Sequence, residues 1–116
     1  MKVFKFGGAS VKDSKSIKNI TRILKLTGYN DTIIVISAMG KTTNALEFLV
    51  KDYMQGRSSY IDILNKIKED HLKIINDLFK KAKKSPYNDI LELTNELNNF
   101  LKINKSTDHS FIYDQV

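Results

Sequence analysis

A lysine, two glycines and a serine stand close together near the start of the chain, in Lys5-Phe6-Gly7-Gly8-Ala9-Ser10-Val11. Paired glycines let a backbone approach an oxyanion closely, consecutive N–H groups cradle phosphate oxygens, and a following helix adds its positive end. From the end of a strand, the Lys5 ammonium can answer the charge of a transferring phosphoryl group. The same residues also suit a plain tight turn with a solvated lysine, and spacing alone leaves both readings open.

A second cluster, Ser37-Ala38-Met39-Gly40-Lys41-Thr42-Thr43-Asn44, directly follows an apolar run. Its small hydroxyl residues can hydrogen-bond a polar substrate, while Thr43 serves equally well as a helix cap. Gly40-Lys41-Thr42 imitates the end of a Walker A loop. That loop needs another glycine five positions before its second one, and here the position is Val35, inside the apolar run. The spacing argues against a nucleotide site of that class.

His71 falls on or beside an apolar helical stripe and His109 in a polar connection, so both read as core or surface histidines. Asp62, Glu69, Asp70, Glu92 and Glu96 fall on outer helical faces and receive no catalytic role. With no cysteine and two isolated histidines, the chain has no disulfide frame, thiolate nucleophile or protein-built metal cluster. Any metal is expected to be oxygen-ligated and brought by a nucleotide.

Lys2 to Phe6 alternates lysines with Val3, Phe4 and Phe6 and predicts a short strand stopped by Gly7-Gly8. Ser14 is the expected N-cap of a helix reaching Thr27, with Ile17, Ile20, Ile23 and Leu24 on one face and Gly28 as its stop. Asn30-Asp31 gives a turn, and the β-branched run Thr32 to Ile36 reads as a parallel strand buried on both faces. These segments make a βαβ unit, and both candidate turns should lie at the carboxyl ends of its strands, where open parallel sheets collect ligands.

From Thr43 the period becomes helical. One helix, capped by Thr43, carries Leu46, Leu49, Val50, Tyr53 and Met54 and ends near Gly56. A longer one, capped by Ser58, carries Ile61, Leu64, Ile67, His71, Ile74, Ile75, Leu78 and Ala82, and Ser85-Pro86 closes it. A further helix places Ile90, Leu93, Thr94, Leu97, Phe100 and Leu101 inward. After the polar break Asn104 to Thr107, Phe111 to Val116 begins another amphipathic turn.

The chain has 116 residues, the length of one modest domain, and ordinary apolar and charged fractions, which argue against disorder and fibre. No run approaches the roughly 20 apolar residues that span a bilayer, and Met1 to Gly7 does not build a signal peptide, so the cytoplasm is expected. The net charge of +6 invites a nucleic-acid reading. Its distribution argues against one, because Lys66, Lys68, Lys73, Lys80, Lys81, Lys83 and Lys84 alternate with apolar residues as the wet face of a helix, and arginine occurs only at Arg22 and Arg57. A membrane-surface helix is disfavoured too, since the same stripe serves a soluble core.

Two strands alone make a marginal sheet with open edges. Further strands are expected beyond Val116, and the open edge predicts self-association of the isolated piece.

The first cluster resembles the aspartokinase signature KFGG(T/S)SV, and Ile36 to Asn44 is similar to that family's second motif, a serine-alanine turn leading to a threonine-asparagine pair. Phe111 to Val116 is similar to the helix before the family's next glycine-glutamate motif. The resemblance implies an α/β fold: an incomplete amino-acid-kinase-like three-layer sandwich, with an N-terminal βαβ unit followed by several helices. Residues 1–116 would be the N-terminal part of the catalytic domain, its remainder and the regulatory ACT domains being absent.

The implied reaction moves the γ-phosphoryl group of ATP, with nucleotide-bound Mg2+, to the side-chain carboxylate of aspartate, opening lysine, threonine and methionine biosynthesis. Carried over by position, Lys5 would be catalytic and would bind phosphate together with Gly7, Gly8 and Ser10. Ser37 and Thr43 would hold aspartate, and no residue would ligate a metal. The full-length enzyme would be a homo-oligomer using these small molecules, with neither nucleic acid nor membrane as partner. Ala9 departs from the family's usual hydroxyl residue, and the later glycine-glutamate, arginine and serine-aspartate motifs have no counterpart, so this piece alone is expected to be inactive. The kinase end of a fused aspartokinase and homoserine dehydrogenase fits the same motifs. A non-catalytic α/β interaction module and a helical scaffold are the competing classes.

Overall fold

The computed structural model describes residues 1–80 and 84–116. It is a mixed α/β chain, mostly helical, with one two-stranded parallel sheet, and it divides into two compact units, Met1–Thr42 and Thr43–Val116.

The first unit holds strand β1 (Lys2–Phe6), a short 3-10 helix (Gly8–Val11), helix α1 (Ser14–Thr27) and strand β2 (Thr32–Ile36). The strands pair in parallel from Lys2 opposite Thr32 to Phe6 opposite Ile36. Asp13, not Ser14, caps α1: its backbone is extended and its carboxylate accepts from the Ser16 N–H at 2.8 Å. Ser14 is already the first helical residue, one step too late to cap. Gly28, at φ 75, ends the helix in a conformation that side chains with a Cβ avoid. Lys2 closes that end by donating from Nζ to the carbonyls of Thr27 at 3.0 Å and Gly28 at 3.1 Å, tying the start of β1 to the end of α1.

Phe6, Val11 and Ile20 are buried together, with Phe4, Ile17, Ile23, Leu24 and Met39 packed around them. Alternation and register put Phe4, Phe6, Ile34 and Ile36 on one face of the sheet and Val3, Lys5, Ile33 and Val35 on the other. Helix α1 covers the β1 half of the first face. The expectation that β2 is buried on both faces is therefore corrected: Ile33, Ile34, Val35 and Ile36 remain 40–59% exposed. The stripe of the single helix in this unit centres on Phe4 and Phe6, leaving nothing to cover β2.

The remaining helices are α2 (Thr42–Met54), α3 (Tyr60–Leu78), α4 (Lys84–Ile103) and α5 (His109–Gln115). Leu49, Leu64 and Leu101 form the centre of the second unit, enclosed by Leu46, Tyr53, Tyr60, Ile63, Leu97, Phe100 and Val116. Tyr53 donates its hydroxyl proton to the Leu101 carbonyl at 2.9 Å and accepts from Asn104 Nδ2 at 3.0 Å, so one half-buried network ends α4 and shapes the connection after it.

Several expected boundaries shift. Helix α2 starts at Thr42, which makes Thr43 a first-turn residue instead of the cap. Residue Ser59, not Ser58, precedes α3, and its hydroxyl turns back to Asp52 Oδ2 at 2.6 Å instead of capping the helix. Helix α3 ends at Leu78, so Ser85-Pro86 opens α4; proline is tolerated in a first turn because the N–H it lacks has no helical partner there. Ile61 and Leu93 turn outward, at 38% and 60% exposed. Lys81, Ala82 and Lys83 lie outside the described residues. Among the described residues no helix is long and apolar enough to cross a membrane.

Candidate functional site

Both strands of the sheet release the chain at the same end. The Ser37 N–H donates to the Phe6 carbonyl at 3.0 Å, carrying the ladder one step past Ile36, and each strand then turns out over that edge. The first turn passes through an extended Gly7 (φ −77, ψ 176) into the 3-10 helix, where the Ser10 N–H reaches the Gly7 carbonyl at 2.9 Å. Val11, 3% exposed, anchors this turn in the core. The second turn is pinned by Met39 packing into the same core, and by Thr42, whose N–H and hydroxyl both donate to the Met39 carbonyl at 3.0 and 2.6 Å.

The turns touch. The Gly40 N–H donates to the Gly8 carbonyl at 3.2 Å, and Gly40 takes φ 55, a left-handed conformation suited to glycine. A Cβ on Gly8 would stand 2.6 Å from the Gly40 carbonyl oxygen, whereas a Cβ on Gly7 would meet nothing within 4 Å. The structure thus brings Gly7, Gly8, Ser10 and Ser37 to one edge of one sheet. Lys5 is the penultimate residue of β1, opposite Val35, exposed, and without a hydrogen-bond or ion-pair partner among the described residues. Thr43 is exposed in the first turn of α2.

The positive end of α1 is already answered by the chain itself. Hydrogen bonds from Ser16 hold the Asp13 carboxyl below its ordinary value of 3.8, slight desolvation opposing them and Lys12 and Lys15 adding attraction. On this turn the donors nearest an anion are the backbone N–H groups of Gly7 to Ala9 and the Lys5 ammonium, since the Ser10 N–H is spent on the Gly7 carbonyl and Asp13 takes the Ser16 N–H of α1. His71 is structural: its Nδ1–H donates to the Ile67 carbonyl at 2.7 Å. His109 opens α5 and stacks on Tyr113.

Sequence reasoning overlooked Asp13 and Met39, and it weighed Gly40 only as part of a loop it argued against. The signals existed: an acidic residue just before a periodic run marks a cap, and a methionine between small residues marks a plug.

The chain is 34% identical over 79 residues to "Aspartokinase 1, chloroplastic" of Arabidopsis thaliana, covering 66% of this chain and 14% of that protein. It is 38% identical over 80 residues to "Aspartokinase 2, chloroplastic" of the same plant, with 66% and 14% covered. Against that plant's "Bifunctional aspartokinase/homoserine dehydrogenase 2, chloroplastic" it is 30% identical over 76 residues, with 66% and 8% covered. The chain thus spans 14% or less of the length of each of these three relatives. The profile of the amino acid kinase family matches residues 1–107, taking in both turns and most of the helical unit; the chain belongs to the amino acid kinase family.

Proposed function

We propose that this chain is the N-terminal part of an aspartate kinase domain, an incomplete three-layer sandwich that supplies one wall of the phosphoryl-transfer site. The carrying observation is the junction of the two turns at the carboxyl end of the sheet, through the Gly40–Gly8 hydrogen bond. The names of the relatives supply the acceptor, aspartate.

The residues fit a nucleotide. Open space at Gly7 leaves backbone within reach of a phosphate oxygen, and Ser10 follows within the 3-10 helix Gly8–Val11. Mg2+ would arrive bound to the nucleotide, as the family resemblance implies. When bound, ATP supplies the phosphoryl group and its magnesium screens the phosphate charge. This chain's part is alignment: Lys5 offsets the charge of the phosphoryl group in flight, Gly7 and Gly8 present N–H groups to phosphate, and Ser37 and Thr43 orient the acceptor carboxylate. Such transfer depends on positioning and charge stabilisation more than on covalent chemistry.

The test is ATP- and aspartate-dependent acyl phosphate formation, trapped with hydroxylamine, by the kinase that contains this sequence. Activity is expected there and not in the 116-residue chain alone. No acyl phosphate from the longer protein would sink the reading. The likeness to fused enzymes favours one second reading, the kinase end of an aspartokinase joined to a homoserine dehydrogenase. NADPH-dependent reduction of aspartate semialdehyde by the same polypeptide would establish it.

A further inference from the structure

The two glycines of the first turn face different demands. Gly7 has an ordinary negative φ and empty space where its Cβ would go, so nothing among the described residues requires glycine there. Gly8 has no such freedom. Its Cβ would collide at 2.6 Å with the Gly40 carbonyl oxygen and stand 3.5 Å from that of Ala38. The obstacle is backbone, which cannot swing aside as the tip of a side chain does, and Gly40 is bonded to Gly8 itself at 3.2 Å. Any side chain at position 8 must push the second turn outward and open that bond.

We propose that the pair divides its work: Gly8 is a positioning residue that seats the Ser37-bearing turn against the first turn, and Gly7 is the glycine kept bare for a ligand oxyanion, the terminal phosphates of a nucleotide. This deepens the kinase reading and rests on it for the identity of the ligands. Because Ser37 leads the displaced turn, a change at Gly8 acts on the acceptor, while a change at Gly7 acts on the nucleotide. Misplacement by about 1 Å can cost on the order of a hundredfold in rate, so the separation is measurable.

Gly8→Ala and Gly7→Ala are compared in two assays. In the 116-residue chain, amide exchange should show Gly40 N–H protected in the parent and in Gly7→Ala, and exposed in Gly8→Ala. In the longer kinase, Gly8→Ala should raise KM for aspartate about tenfold or more with a smaller change for ATP, and Gly7→Ala should do the reverse. An unprotected Gly40 amide in the parent, or one unmoved by Gly8→Ala, overturns the positioning role whatever the kinetics. Protection lost as expected while neither variant moves either KM instead overturns the kinase reading. Equal effects of both variants on ATP overturn the division of labour. Should Gly8→Ala fail to fold, Gly40→Ala strains the same turn through its φ of 55 with no contact closer than 3.8 Å. It must then raise KM for aspartate selectively, and a selective effect on ATP overturns the proposal.

Discussion

The unit that holds the candidate chemistry and the unit that holds most of the helix are built to opposite standards of closure. In Thr43–Val116, helices α2, α3 and α4 together with Val116 shut on Leu49, Leu64 and Leu101, and Leu49 and Ile112 are 0% exposed. In Met1–Thr42, one helix covers half of one sheet face, and Val3, Ile33 and Val35 stand 61%, 47% and 44% exposed on the other. The polar turns, the left-handed Gly40 and the unpartnered Lys5 all belong to the less covered unit. The candidate turns and Lys5 therefore sit in the unit whose sheet is only half covered, while the helical unit encloses a leucine core yet still leaves Phe48 and Ile103 exposed at its surface.

The contrast breaks first at its strongest point. Leu49→Ala should cost about 2–5 kcal/mol, the range for a leucine removed from a tight core, read as a lower urea midpoint. Val35→Ala, on the open sheet face, should cost within about 0.5 kcal/mol, as surface changes do. Equal losses would mean that the sheet face is covered in solution, which self-association would bring about, and sedimentation of the same samples would reveal it. Next comes Lys5→Ala in the longer kinase, expected to lower kcat by about a hundredfold or more, roughly 3 kcal/mol of barrier. Near-normal turnover would remove Lys5 from the site and leave its exposure unexplained.

How much of this was legible depended on whether a feature is local. The strand limits Lys2–Phe6 and Thr32–Ile36, the end of α1 at Gly28 and the case against a Walker loop followed from alternation, glycine and spacing, all readable within a few residues. That the two turns share an edge also followed, because a βαβ unit leaves little choice. Burial of β2 was misjudged because a β-branched run records the cover a strand is suited to, not the cover it has. Ser85-Pro86 was misplaced because proline both ends helices and begins them, and sequence does not say which side of it the helix lies. The Gly8–Gly40 contact was invisible for a different reason: it joins residues 32 positions apart through backbone atoms, which leave no mark on residue type beyond glycine itself.

A smaller effect probes how the helical unit closes. Tyr53→Phe keeps the ring against Tyr60 and removes only the hydroxyl, leaving the Leu101 carbonyl without its 2.9 Å donor and Asn104 Nδ2 with the Ser106 carbonyl as its remaining acceptor. A loss of about 1–3 kcal/mol is expected by thermal unfolding, and amides after Ile103 should exchange faster. An unchanged melting curve would show that water replaces the hydroxyl at once, making that unit less closed than its leucine core suggests.

The smallest effect is the most specific to the sheet unit. Asp13 holds a depressed carboxyl because its charge is used to cap α1. Well above the ordinary value of 3.8 both folded and unfolded chains carry the carboxylate, and the full contribution of the cap is present. As pH falls through that value the unfolded chain takes up its proton first, so stability drops, and below the depressed folded value the contribution is gone. Asp13→Asn retains a good capping side chain but cannot titrate. The variant should match the parent near pH 7 and lose stability less steeply below about pH 4. The difference should appear in the unfolding of Met1–Thr42, followed by Phe4 and Phe6 side-chain signals, and not in that of the helical unit. Parallel acid limbs for the two proteins would show that the α1 cap does not limit the stability of the unit that carries the turns.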